Sequence, residues 1–185
     1  RPLLLAISRS GTTTETLWAV DRFRQMHAGP VLAVTCYPES PLASRCDLAL
    51  TAPDAQEESV AQTRSFVSMF ILTQAMATAI AQGEDGLTHL QQLPDRLVDL
   101  EQRMGDLPRQ LGADLKIEQF FFLGGGPLYG LASEVMLKVK EMTLSHSQAF
   151  HPLEFRHGPM SMVTDRTLIV GLLSDTGLKA EGQVL

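Results

Sequence analysis

The stretch Leu3-Leu4-Leu5-Ala6-Ile7-Ser8-Arg9-Ser10-Gly11-Thr12-Thr13-Thr14-Glu15-Thr16 decides how this chain folds. Its first five residues are apolar without alternation, which fits a strand covered on both faces. Its last nine hold six hydroxyls and one glycine. A helical pattern then runs from Glu15 to about His27, marked by Leu17, Val20 and Phe23, and stops at Ala28-Gly29.

Outward from there the logic repeats. Val31–Thr35 reads as a second buried strand, Pro38–Pro41 as a turn, Leu42–Cys46 as a short helix and Leu48–Thr51 as a third strand closed by Pro53. Glu57–Ala81 predicts one long helix, apolar nearly all round in its second half and therefore buried. Leu87–Leu111 is a more charged helical stretch, interrupted at Pro94 and Pro108. Gln119–Leu123 predicts a strand, Gly124–Gly126 a loop and Pro127–His146 a helix. After a Pro/Gly-marked segment, His151–Pro159, Leu168–Leu173 predicts another strand and Ser174–Gly177 a polar loop. Buried strands alternating with helices predict an α/β fold with parallel sheets flanked by helices in three layers. Two weakly repeated units are expected, residues 1–111 and 112–185. Loops at the carboxyl ends of such strands are where open α/β sheets bind ligands.

Composition narrows the function classes. The chain has 185 residues, 44% hydrophobic and 19% charged, which supports a core and excludes disorder. Its 14 Gly and 10 Pro are scattered without period, which excludes a collagen-like chain. No uninterrupted apolar run nears the roughly 18 residues of a membrane span, so no membrane partner is expected. The net charge is −6, from 15 basic and 21 acidic residues with no Lys/Arg block, so no nucleic-acid partner is expected. A small anion would have to be held by local dipoles rather than by the global field. Cys36 and Cys46 are too few for a disulfide framework or a four-ligand zinc site and read as buried, inert thiols. The chain opens on a strand rather than a signal peptide, which predicts a cytoplasmic, reducing compartment.

Three groups of residues carry chemistry. Ser8–Thr16 lies between a strand and a helix start, where unpaired amides and a partial positive charge attract anions. Hydroxyls and Gly11 would let a phosphate approach those amides. The plainer alternative is helix capping, with Thr12-x-x-Glu15 as a capping box. Arg9 either adds charge to this site or is simply exposed. The second group is Glu134, Lys138 and Glu141, spaced 4 and 3 apart on one helical stripe that Ser145 extends. Leu137 and Leu144 wall one side, and Leu131, Val135 and Met142 the other. This stripe is either a surface ion pair or a carboxylate–lysine site for proton transfer. The third is His157, on the turn Arg156-His157-Gly158-Pro159, which is either exposed or an acid or base. His146, His151 and His157 match no metal signature, and Gly124-x-Gly126 lacks the third glycine of a dinucleotide fingerprint.

Four segments in order resemble the sugar isomerase (SIS) family. They are Ser8-Arg-Ser-Gly-Thr-Thr-Thr-Glu-Thr16, Glu58-Ser-Val-Ala-Gln-Thr-Arg-Ser-Phe66, Gly124-Gly-Gly-Pro-Leu-Tyr129 running into Ala132-Ser-Glu-Val-Met-Leu-Lys-Val-Lys-Glu141, and Glu154-Phe-Arg-His-Gly-Pro159. Within the family the likeness is to isomerase domains of glucosamine-6-phosphate synthases and to deaminase-like stand-alone proteins. The resemblance implies two SIS-type subdomains, both incomplete. A further strand with its own ligand loop would precede Arg1, and a lysine-bearing segment would follow Leu185.

It also implies roles by position. Ser8, Arg9, Ser10 and Thr13 would hold the phosphate of a hexose or hexosamine 6-phosphate, with Gly11 and Gln62 as further substrate contacts. Gln62 stands where amidotransferase relatives have serine, which points to the stand-alone branch. Glu141 would be the base moving a proton between C1 and C2, beside the Glu134–Lys138 ion pair. His157 would open the sugar ring across the interface of a homodimer. The implied activity is aldose–ketose isomerisation or isomerising deamination, with no metal or organic cofactor. The alternative is a non-catalytic phosphosugar sensor, which needs the hydroxyl loop but not the base.

Overall fold

A computed structural model describes residues 1–175, 177, 181 and 182. The chain forms two compact units, residues 1–103 and 104–185.

In the first unit, β1 (Leu4–Ile7), β2 (Val31–Thr35) and β3 (Leu48–Thr51) form a parallel sheet in the order β1-β2-β3. Ala6, Ala33 and Ala49 stand side by side in register, and Ile7, Val34 and Leu50 form the next row. Successive side chains of a strand point to opposite faces, so these two rows face different layers. On the first face, α1 (Thr14–Met26) and α2 (Pro41–Arg45) bury Val20 and Leu42 against Ala6, Val31 and Ala33. On the second, α3 (Arg64–Gln82) packs Met69 and Leu72 against Val34, Cys36 and Leu50. The unit is the three-layer sandwich that strands apolar on both faces require.

Two expectations for α3 need correction. It begins at Arg64, not Glu57, because residues 57–63 form a loop closed by the Glu57 carboxylate. Its second half is not buried: Ile80 is 74% exposed, and the only buried residues of the helix, Ser65 and Met69, lie in its first half. By length and composition α3 would suffice to cross a bilayer, which a search for uninterrupted apolar runs overlooks because Ser68, Thr73 and Gln74 dot it.

The charged stretch that follows breaks into α4 (Thr88–Gln91), α5 (Leu93–Met104) and α6 (Leu107–Ala113). Pro94 and Pro108 each sit in a first turn, where a missing N–H costs nothing.

In the second unit, β4 (Gln119–Gly124) is flanked by β5 (His146–Phe150) and β6 (Thr167–Leu172) in a parallel sheet ordered β5-β4-β6. β5 corrects the expectation of a helix through His146. α7 (Pro127–Thr143) ends at Leu144, held left-handed at φ 58°, and the chain then enters the sheet. His146-Ser147-Gln148 lacks an apolar run, yet Ser147 is wholly buried and its hydroxyl donates to the Met136 carbonyl at 2.8 Å. One hydrogen bond to α7 thus satisfies the polar atom that hid this strand from the pattern. Because the helix ends at Thr143, Ser145 does not extend the α7 stripe; its hydroxyl bonds that of Thr143 instead.

α7 covers one face of this sheet, burying Ala132. On the other, α8 (Pro152–Phe155) inserts Phe155 against Phe121 and Leu123. The Phe121 ring meets Phe150 and Phe155 edge-on at 5.6 and 5.5 Å.

Phe121→Ala should cost about 3–5 kcal/mol in urea unfolding, since a filled aromatic cluster becomes a cavity. Ile80→Ala, at a site 74% exposed, should stay within about 0.5 kcal/mol.

Candidate functional site

The carboxyl end of β1 feeds a tight turn into α1. Gly11 adopts φ +63°, and a Cβ there would lie 2.2 Å from Ser40 Oγ and 3.2 Å from Thr35 Oγ1. Only glycine fits both the backbone angle and the space. Its N–H donates to Ser8 Oγ at 3.2 Å, and its carbonyl accepts from the Leu42 N–H at 3.0 Å.

The hydroxyls are arranged in pairs. Ser8 Oγ and Thr13 Oγ1 are 2.9 Å apart, and Ser10 Oγ and Thr12 Oγ1 are 2.8 Å apart. This corrects the capping-box expectation: the N-cap residue is Thr13, and its side chain makes no cap hydrogen bond. In each pair one O–H donates to the other, so one proton per pair stays free to meet an anion. The amides of the first turn of α1 have no intrahelical acceptor and carry the positive end of the helix dipole.

These groups face a cleft of about 380 Å3 lined by Ile7, Ser8, Arg9, Ser10, Thr13, Thr16, Gln62 and Met69. The structure therefore brings together Ser8, Arg9, Ser10, Thr13 and Gln62, while Gly11 shapes the turn behind them. Arg9 is anchored at both ends. Its carbonyl accepts from the Cys36 N–H and the Thr35 hydroxyl, each at 3.0 Å, and its Nη1 donates to the Ser59 carbonyl at 2.6 Å. Thr16 and Met69 are cleft residues that sequence reasoning missed. Thr16 follows Thr13 by one helical turn, a spacing that would have found it. Met69 carries no such signal.

Glu57 was also missed. Its carboxylate accepts from the Ser65 hydroxyl, from the Ser65 and Thr63 amides, and from the Thr63 hydroxyl. The Ser65 hydroxyl is the largest of the influences that hold its pKa down to about 2. The thiols are different: burial pushes both Cys36 and Cys46 up, which keeps them protonated and unreactive.

In the second unit, α7 brings Lys138 between two carboxylates, with Nζ 2.6 Å from Glu141 Oε2 and 3.6 Å from Glu134 Oε1. Lys138 is only 18% exposed, whereas Arg103 in the helical pair with Asp99 is 75% exposed. That shielding distinguishes Lys138 and Glu134 from a solvated surface pair, whereas Glu141 is exposed. Among the intended walls of the stripe, Val135, Leu137, Met142 and Leu144 are exposed. His157 is exposed on the turn after α8. Its N–H donates to the Glu154 carbonyl, and its ring makes no hydrogen bond among the described residues. Nearby, His151 stacks on Tyr129 at 4.0 Å between ring centroids. Among the described residues no three His, Cys, Asp or Glu side chains converge as metal ligands.

Residues 1–79 match the family model of the SIS domain. The chain is 30% identical over 186 residues to the isomerising glutamine–fructose-6-phosphate aminotransferase of Zymomonas mobilis, covering 92% of this chain and 29% of that protein. It is 31% identical over 186 residues to the enzyme of that name from Halobacterium salinarum, covering 94% and 30%. Among solved structures, a glucosamine-6-phosphate deaminase from Thermotoga maritima superposes with a TM-score of 0.79 at 28% identity, covering all of this chain and 57% of that one. The tagatose-6-phosphate ketose/aldose isomerase of Escherichia coli gives 0.84 at 25%, covering 98% and 51%. The chain thus spans less than a third of these curated relatives and just over half of these solved chains.

Gly11→Ala should destabilise the first unit by about 1–3 kcal/mol, through the left-handed angle and displacement of Ser40, read as a lower thermal midpoint. The depressed Glu57 carboxyl adds stability that is present above its ordinary pKa of 4.5 and is lost as pH falls toward about 2. In Glu57→Gln, acid titration of unfolding should lose that part of its slope.

Proposed function

We propose that this chain is the sugar-phosphate-binding and proton-transfer part of a phosphosugar aldose–ketose isomerase or isomerising deaminase. The observation that carries the reading is the cleft at the end of β1. The Ser8–Thr13 hydroxyl pair, the Ser10 hydroxyl, Arg9 and a helix N-terminus line about 380 Å3, a chemistry suited to a phosphate dianion. In an acidic chain this local field substitutes for a basic surface.

In this reading Ser8, Arg9, Ser10 and Thr13 grip the phosphate, and Gln62 contacts the sugar. His157, supplied across a homodimer interface, assists ring opening. Glu141 removes the C2 proton, giving an enediol or enolamine, and returns it to C1. Lys138, hydrogen-bonded to Glu141 and paired with Glu134, keeps the base oriented. Where C2 carries an amine, the proton shift leaves a ketimine, and water then releases ammonia and the ketose. Carboxylate and imidazole suffice for these steps, so the scheme calls on no metal or organic cofactor. Residues 1–111 and 112–185 would each be an SIS-type subdomain of a cytoplasmic enzyme with neither nucleic acid nor membrane as partner. The names of the aminotransferase, deaminase and isomerase relatives support this class of substrate.

Titration calorimetry with fructose 6-phosphate should show binding to this chain that weakens at least about tenfold in Ser8→Ala/Ser10→Ala, the worth of one or two charge-assisted hydrogen bonds. In the full-length protein, Glu141→Gln should lower turnover of fructose 6-phosphate and glucosamine 6-phosphate by a factor on the order of 100 or more while sparing affinity. Unchanged turnover would remove Glu141 as the base, and binding without turnover in the unmodified protein would assign a sensor instead.

A further inference from the structure

The loop between the 3-10 turn Pro53–Ala55 and α3 is tethered more heavily than a helix start needs. Thr63, the N-cap residue of α3, does not cap; its hydroxyl donates to Glu57 Oε2 at 3.0 Å. Glu57 Oε1 accepts the Thr63 N–H at 3.0 Å and the Ser65 N–H at 3.3 Å, together with the Ser65 hydroxyl. One carboxylate thereby closes a ring from residue 57 to residues 63–65. The loop is tied on its other side by Arg9 to Ser59 and at its root by Gln56 Nε2 to the Cys36 carbonyl at 3.0 Å. What the ring presents is Gln62, which lines the cleft and whose carboxamide makes no hydrogen bond among the described residues. A carboxamide offers both donors and an acceptor, the complement of a sugar hydroxyl, whereas the Ser8–Thr13 side supplies the donors a phosphate needs.

We propose that Glu57 is a positioning residue for the sugar half of the ligand: by closing the 57–63 loop it holds Gln62 where it reads the sugar, and it takes no part in gripping the phosphate. This rests on the phosphosugar reading above. The charge is essential to the geometry. Glu57→Gln puts an amide donor where four N–H and O–H groups already point inward, so the ring loosens although the side chain keeps its size.

The test is calorimetric titration of this chain with two probes, fructose 6-phosphate and inorganic phosphate. Glu57→Gln and Gln62→Ala should each weaken fructose 6-phosphate about tenfold, near one lost hydrogen bond, and leave inorganic phosphate within about twofold. The double variant should be no worse than either single one, because both act through the same contact. Equal loss for both probes, or no loss for either in a folded Glu57→Gln, overturns the assignment. If Glu57→Gln does not fold, Thr63→Val removes one of the four donors without stranding a charge, and the same selective loss is required of it. Wild-type chain that binds neither probe overturns the phosphosugar reading and this one with it. Wild type that binds both while Gln62→Ala behaves like wild type overturns the role of Gln62 alone, and with it this proposal.

Discussion

The first unit is organised around the absence of one side chain. Gly11 turns the chain at φ +63° against Ser40, whose hydroxyl lies where a Cβ would stand and also accepts the Ala43 N–H at 3.3 Å to cap α2. The Gly11 carbonyl takes the Leu42 N–H from that same helix, and Leu42 is wholly buried beneath the sheet. The turn that faces the cleft and the helix that closes the core therefore share two adjacent contacts. A methyl group at residue 11 would disturb a cap worth about 0.5–2 kcal/mol and shift the Ser8 hydroxyl in the same motion. Stability and the shape of the cleft are coupled here by sterics.

Charge in this protein is placed rather than accumulated. With a net charge of −6, its global field opposes an anionic ligand, so attraction must come within hydrogen-bonding range. The hydroxyl pairs, the first-turn amides of α1 and the doubly anchored Arg9 supply that short-range field. The Arg9 guanidinium spends one donor on Ser59 and is thereby spared much of the rotamer entropy that an exposed arginine loses on binding. Lys138 shows the same economy in the second unit, flanked along one face of α7 by Glu134 and Glu141 and largely withdrawn from water.

The sequence made some of this legible. β1 to β3 could be read because their residues are apolar on both faces, and the hydroxyl loop because six hydroxyls in nine residues exceed what a cap requires. β5 could not, since its polar Ser147 is satisfied by a carbonyl of α7, a partner eleven residues back that no local pattern reveals. The start of α3 was misplaced because Glu57 looks like a helix residue and acts as the acceptor that ends a loop. Gln62 could be assigned to the cleft only through resemblance. Nothing in its neighbours says that the loop folds toward β1, because the tether runs from Arg9, fifty residues away from Ser59.

The repeat visible in the sequence is a repeat of turn chemistry. After β1, Ser8 Oγ accepts the Gly11 N–H at 3.2 Å; after β6, Ser174 Oγ accepts the Gly177 N–H at 2.9 Å. Both turns stand at the carboxyl end of a parallel strand, where open sheets offer ligand sites. They differ in what the serine faces. Ser8 meets the Thr13 hydroxyl, which leaves the pair one proton to donate outward. Ser174 directs its N–H and its hydroxyl at the Glu181 carboxylate, at 3.0 and 3.3 Å, so those donors are already spent on an anion of the chain itself. The same serine–glycine hydrogen bond thus stands beside free hydroxyl donors in one unit and beside donors already satisfied by the chain in the other. The difference in donors lies in the partner side chain.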